Sequence, residues 1–255
     1  MHKRFNILGV YISAVNLDLA CQEIENLIRN PRQSYVCVAP VSTIVTCQED
    51  DHYKDVINQA DMVTPDGMPL VWLARGLGLK QVRRTYGPDL MLAFFDYSQE
   101  KGFRHYLLGG SQETLDKLES NLKQQFPKCN IVGKYSPPFR ALTDEEEENI
   151  IEKLNTSGAD VLWVGLGSPK QEFWIKAHSA KLDVPVAVGV GAAFDFLSGT
   201  KPQAPQWMRS LGLEWLFRLC CEPKRLAKRY FLGNSKFIYL IIKSFFKGEL
   251  KRNAV

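Results

Sequence analysis

No run of apolar residues in this 255-residue chain reaches the ~18 needed to cross a bilayer, so no transmembrane anchor is expected. Cysteine is sparse and scattered. The six residues Cys21, Cys37, Cys47, Cys129, Cys220 and Cys221 form no C-x-x-C pair, and the four histidines show no metal-binding spacing. Neither a zinc site nor a disulfide framework is therefore indicated, and a reducing compartment fits best. The N-terminal MHKRFNILGVYIS starts basic but passes at once into strand-like alternation, without the long apolar core of a secretory signal. A Walker A lysine loop and a G-x-S-x-G elbow are also missing, which lowers the rank of phosphoryl transfer and serine hydrolysis. Internal repeats and low-complexity tracts are absent.

What remains is a composition of 45% hydrophobic and 24% charged residues. It excludes disorder and suits one sizeable core with an appendage. The charge is unevenly placed. Residues 201–255 carry 12 Lys/Arg against three Glu, a net +9, which leaves −5 on the first 200 residues out of a total of +4. We therefore expect an α/β domain over residues 1–200 and a basic helical appendage over 201–255.

Along the chain, short apolar runs alternate with segments of helical period. Strands are expected at 5–15 (one, or a pair), 35–39, 60–64, 104–108, 130–135, 161–164 and 184–189. Helices are expected between them: one capped by Asn16 or Asp18, others around Ile44 and Val56, one from Pro69, one capped by Asp89, and others from Ser111, Thr143 and Lys170. Strand–helix alternation of this kind gives a Rossmann-like, mostly parallel sheet with helices on both faces. Such sheets bind ligands in the loops beyond the carboxyl ends of their strands.

Several of those loops carry candidate groups. Thr64-Pro65-Asp66-Gly67 places a carboxylate on a tight turn, where Asp66 suits a general base, although turn geometry alone also explains Pro-Asp-Gly. Arg84, beside Arg83, offers a guanidinium fork for a diphosphate; a solvated arginine is the commoner alternative. Leu108-Gly109-Gly110-Ser111 and Gly165-Leu166-Gly167-Ser168-Pro169-Lys170-Gln171 are glycine turns that open helices, fit either to cradle phosphate or ribose or simply to turn the chain. The first is not G-x-G-x-x-G, which argues against a nicotinamide cofactor. Beyond Gly189 and Gly191, Asp195 suits either a ribose contact or a helix cap.

The tail has its own pattern. Arg218, Lys224, Arg225, Lys228 and Arg229 lie among Trp207, Trp215, Phe217, Tyr230 and Phe231, and Ser235 to Phe246 is mostly apolar but too short to span. This favours an anionic membrane surface over nucleic acid, since the body is acidic and no recognition motif is present. A helix packed on the core with solvated basic residues is the plain alternative.

Taken in order, Pro65-Asp66-Gly67, Arg84-Thr85-Tyr86-Gly87-Pro88-Asp89-Leu90, Leu108-Gly109-Gly110, Gly165 to Glu172 and Val188-Gly189-Val190-Gly191-Ala192 resemble the WecG/TagA/CpsF bacterial glycosyltransferases over nearly the whole chain. The resemblance implies inverting, metal-independent transfer from a UDP-sugar to a polyprenyl-diphosphate-linked saccharide at the inner face of the cell membrane. It assigns catalysis to Asp66, Arg84 and Gln171; on the chemistry of their turns, Gly109, Gly110, Gly167, Lys170, Gly191 and Asp195 are expected to bind the donor. No cofactor is implied; the lack of a D-x-D element means that arginine and backbone donors replace a metal. One departure stands out. Where many members carry T-x-N, this chain has Val38-Ala39-Pro40, so those polar contacts are either missing or taken over by Ser42 or Thr43, and the donor sugar stays open. Self-association is also open. A membrane-docked, non-catalytic nucleotide-binding regulator is the alternative function.

Overall fold

The computed structural model describes residues 3–30 and 32–248; the side chains of Ser210, Arg225, Lys228 and Arg229 lie outside the described residues. The chain opens with β1 (Arg4–Ile7), β2 (Val10–Ser13), α1 (Leu17–Ile28), β3 (Ser34–Ala39), α2 (Val41–Thr46), α3 (Asp51–Asn58), β4 (Met62–Pro65) and α4 (Met68–Gly76). There follow α5 (Gly87–Ser98), β5 (Arg104–Gly109), α6 (Gln112–Gln125), β6 (Asn130–Tyr135), α7 (Asp144–Thr156), β7 (Val161–Gly165), α8 (Lys170–His178) and β8 (Val186–Gly189). The described residues end with α9 (Ala193–Leu197), α10 (Gln206–Ser210), α11 (Glu214–Cys221) and α12 (Pro223–Phe246). Six strands make one sheet in the order β4-β3-β8-β7-β5-β6, with β3–β8, β8–β7, β7–β5 and β5–β6 all parallel. This is the α/β architecture expected from the alternation of runs.

Contacts divide the chain into two compact units, Met1–Asn16 with Val38–Tyr86 and Pro202–Val255, and Leu17–Cys37 with Gly87–Lys201. In the first, β1 and β2 pair as an antiparallel hairpin. Its turn residues Leu8 and Gly9 both have positive φ, 54° and 83°, as a two-residue turn matched to strand twist requires. Side-chain amides hold the tip: Gln48 Nε2 donates to Leu8 O and Asn58 Nδ2 to Gly9 O, each at 2.9 Å. Helix α12 packs along α2 and buries Leu226 and Phe237. The described part of the tail from Pro202 is helical, as its composition suggests, while residues 249–255 of the expected appendage lie outside the described residues; the tail is grouped with the N-terminal hairpin and with β4 and its flanking helices.

The second unit shows why parallel strands read as unbroken apolar runs: Val161 to Val164 are fully buried, with no solvated face. One buried polar chain in it is satisfied internally. Trp163 Nε1 donates to His105 Nδ1 at 3.1 Å, and His105 Nε2 lies 2.9 Å from Ser98 Oγ. Phe95 stacks on the His105 ring at 4.0 Å. Helix α7 opens with a capping box of Thr143 and Glu146, and Ser111 caps α6 through Thr114 N–H. The helix expected to be capped by Asp89 instead starts at Gly87, and Asp89 sits in its first turn. Glycine permits the earlier start, because a Cβ on Gly87 would come within 3.1 Å of Val190 O.

Candidate active site

In the first unit, backbone bonds bring Asp66 and Arg84 together from positions 18 residues apart. Asp66 N–H donates to Ala39 O at 3.1 Å, Thr85 N–H to Pro65 O at 2.9 Å, and the buried Thr64 hydroxyl to Thr85 O at 3.1 Å. The segment through Thr85 is thereby stitched to the end of β4. Gly67, at φ 123°, turns the chain directly into α4, a conformation that strains any residue with a side chain.

The side chains converge on one guanidinium. Arg84 Nη2 is 2.6 Å from Glu214 Oε2 and 3.3 Å from Asp66 Oδ1, and its plane lies over the Tyr86 ring at 4.1 Å. All three charged side chains are largely buried, Asp66 retaining 15% exposure. Burial pushes the Asp66 carboxyl up to about 6; Arg84 opposes this, Glu214 reinforces it and Arg218 opposes it more weakly than Arg84 does. Burial also works against the Arg84 cation, but Asp66 and Glu214 outweigh it and keep the group protonated. Burial, then Glu214 and Asp66, raise the Tyr86 phenol, so it stays neutral. The cluster thus holds a carboxylate that can take up a proton near neutral pH, beside a fixed cation that can face an anion. Arg83 does not join it, because its guanidinium donates to the carbonyls of Lys80 and Val82.

The glycine turns of the second unit divide by role. A Cβ on Gly109 would lie 2.6 Å from the Gly165 carbonyl carbon, and one on Gly165 would lie 2.6 Å from the Phe194 ring. These two glycines are demanded by packing at the ends of β5 and β7. Gly167, at φ 80°, faces open space, so its backbone is reachable; Gly110 turns the chain at φ 72°. Gln171 is 2% exposed, and its amide is engaged on both sides: Gly191 N–H donates to its Oε1 at 2.9 Å, and its Nε2 donates to Glu172 Oε1 at 2.8 Å. Ser168 Oγ donates to the other Glu172 oxygen at 2.8 Å. Gln171, expected to contact the reacting groups, is thus placed as the tie between the β7 and β8 turns. Lys170 is exposed at the start of α8.

The remaining expected contacts are placed as follows. Thr43 is buried at 3% exposure within α2, a poor position for offering its hydroxyl to a ligand. Asp195 does not cap α9; it lies in the first turn of that helix and pairs with Lys201 at 2.6 Å. Arg218, expected among the membrane-facing cations, is close enough to Asp66 to act on its charge. Lys224 is exposed on α12, whereas the side chains of Arg225, Lys228 and Arg229 lie outside the described residues.

A match to the Glycosyl transferase WecG/TagA/CpsF family runs over residues 5–251. The chain belongs to this family. It is accordingly a glycosyltransferase, and the regulator alternative gives way to an enzyme. The chain is also similar to a Bacillus spizizenii protein named N-acetylglucosaminyldiphosphoundecaprenol N-acetyl-beta-D-mannosaminyltransferase, with 28% identity over 235 residues and 89% of each chain covered. Among the described residues of this WecG/TagA/CpsF member, no helix is long and apolar enough to cross a membrane.

Two residues of these clusters were not singled out from the sequence. Glu214 lies in Gly-Leu-Glu-Trp, among aromatics that read as a surface segment, and no local pattern links it to Arg84. Glu172 was in view as the end of the Gly165–Glu172 motif, but only its burial at 1% exposure reveals that it organises Gln171 and Ser168.

Proposed function

We propose that this glycosyltransferase moves a sugar from a UDP-linked donor to a polyprenyl-diphosphate-linked saccharide, with inversion at the anomeric carbon and without a metal, in the assembly of a bacterial cell-surface polysaccharide. The observation that carries the reading is the Asp66–Arg84 pair, a partly exposed carboxylate of raised basicity beside a cation that stays charged. The name of the Bacillus spizizenii relative, with its diphospholipid acceptor, supports the acceptor class. In this scheme Asp66 takes the proton from the acceptor hydroxyl as its oxygen bonds to the anomeric carbon. The bond from that carbon to the diphosphate breaks on the opposite face, and Arg84 receives the developing charge. Gln171 acts by positioning the Gly191 turn.

The reaction takes place at the inner face of the cell membrane, with α12 in contact with the leaflet. Its large residues Phe231, Leu232, Ile238, Tyr239, Ile242, Phe245 and Phe246 are all exposed, Phe246 at 84%, and fall on one stripe at helical spacing. Lys243 and Lys247 flank that stripe, an arrangement that suits apolar insertion beside anionic headgroups, whereas Lys236 is paired with Glu49.

The test is a panel of UDP-sugars, including N-acetylmannosamine, other N-acetylhexosamines, hexoses and uronic acids, supplied with N-acetylglucosaminyl-diphospho-polyprenol while UDP release is followed. One donor should turn over, and EDTA should leave the rate unchanged. Asp66→Asn should keep UDP binding and lose about 10²–10⁴-fold in turnover, the usual contribution of a general base. Normal turnover by that variant would remove Asp66 from the role.

A further inference from the structure

Arg84 has two carboxylate partners, and the geometry favours the one to which the reaction scheme gives no role. Its Nη2 is 2.6 Å from Glu214 Oε2, whereas Asp66 Oδ1 is 3.3 Å from Nη2 and 3.4 Å from Nε, beyond the usual range of a strong charged hydrogen bond. Among the described residues, Asp66 Oδ2 makes no hydrogen bond, and Oδ1 makes only these long ones. Glu214 is the first residue of α11 and is 7% exposed. The turn before it is seated closely. Gly212 has φ 74°, and a Cβ there would lie 2.9 Å from Met68 Cβ and Cγ, two residues beyond Asp66. Only glycine lets that turn approach the Pro65-Asp66-Gly67 turn so nearly, and the approach delivers the Glu214 carboxylate to Arg84.

We propose that Glu214 is a positioning residue for Asp66: by drawing the Arg84 guanidinium onto itself, it stops the fork from closing over the Asp66 carboxylate and leaves Oδ2 open to an acceptor hydroxyl. This rests on the reading of Asp66 as the base. A guanidinium clamped on both oxygens of a carboxylate would occupy the lone pairs needed for proton transfer and weaken the group as a base. The charged and titratable groups facing Asp66 are Arg84, Glu214, Arg218 and the Tyr86 phenol. Without the Glu214 charge, Asp66 is left facing two cations and a neutral phenol, and Arg84 has no other carboxylate in the cluster.

The experiment uses the full-length protein with ¹³C-labelled aspartate carboxyls, the Asp66 signal being assigned by its loss in Asp66→Asn. In Glu214→Gln and Glu214→Ala the proton affinity of Asp66 should fall tenfold or more from its wild-type value. The acidic limb of the pH–rate profile, measured with the UDP-sugar selected by the panel, should move down with it, and turnover should drop on the order of tenfold. Glu214→Gln keeps the shape and an acceptor oxygen, so it serves if the alanine variant fails to fold. An unshifted Asp66 titration in Glu214→Gln overturns the proposal, even if turnover or thermal stability falls, because a purely structural role would produce those losses alone. The turnover of Asp66→Asn separately decides whether Asp66 is the base, so the two failures are distinguishable.

Discussion

At the residue scale, the chemistry depends on burial acting against ion pairing. Asp66 would be an ordinary carboxylate on an exposed Pro-Asp-Gly turn; in place it holds its proton up to about pH 6. A base must be ionised to act, so kcat/KM should rise with pH through about 6 and level off above it, and Asp66→Asn should abolish that limb. The stability effect runs the other way. The unfolded carboxyl loses its proton near 3.9, so between roughly pH 4 and 6 the folded state binds more protons, and this group's contribution falls as pH rises. Urea unfolding of Asp66→Asn at pH 7 should therefore show no loss of stability from removing the charge. Cysteines follow the same logic. Burial, with Asp18 and Asp96 adding to it, pushes the Cys21 thiol up to about 12, whereas Cys220 and Cys221 are exposed. Maleimide labelling of the native protein, mapped by peptide mass, should find Cys220 and Cys221 and spare Cys21, Cys37 and Cys47.

At the element scale, local signals were legible wherever a side chain acts on its own backbone. The Thr143 capping box, the Ser111 cap and the apolar run of β7 depend on neighbours within a few residues, and each forms where expected. Thr143→Ala should lower unfolding free energy by about 1 kcal/mol, measured by urea titration, since it removes the cap from α7. The Asp89 cap failed because the approach of Gly87 to Val190, which lets α5 begin earlier, involves a contact about a hundred residues away. For α12, the exposed face and the buried face are separate sets of residues. Phe245→Ser with Phe246→Ser should weaken flotation with anionic vesicles severalfold while leaving the melting temperature within error. Truncation at Pro202 would be a poor substitute, because it strips Leu226 and Phe237 from the core and Glu214 from Arg84.

At the scale of the whole molecule, acid sensitivity should be carried by a buried histidine, His105. Burial lowers His105 to about 3, with Asp160 pulling weakly the other way. The unfolded imidazole binds a proton near 6.5, so stability is present above that pH and is lost as pH falls toward 3. By this linkage, moving from pH 7 to pH 5 should cost roughly 2 kcal/mol of unfolding free energy. In His105→Gln, whose amide can still meet Trp163 and Ser98, that part of the slope should vanish.

The order of strands and helices, the basic tail and the turns that carry Asp66 and the glycines were all written in the sequence, because period, capping and turn chemistry act over a few residues. Five ordered motifs were also enough to point to the family. What the tertiary structure decided was which of those residues have work outside the backbone. Packing made Gly109 and Gly165 obligatory, buried Gln171 and Thr43, and brought Glu214 across 130 residues of sequence to Arg84. Burial and charge pairing depend on what surrounds a group in space, and sequence neighbours carry no record of a carboxylate that arrives from the far end of the chain.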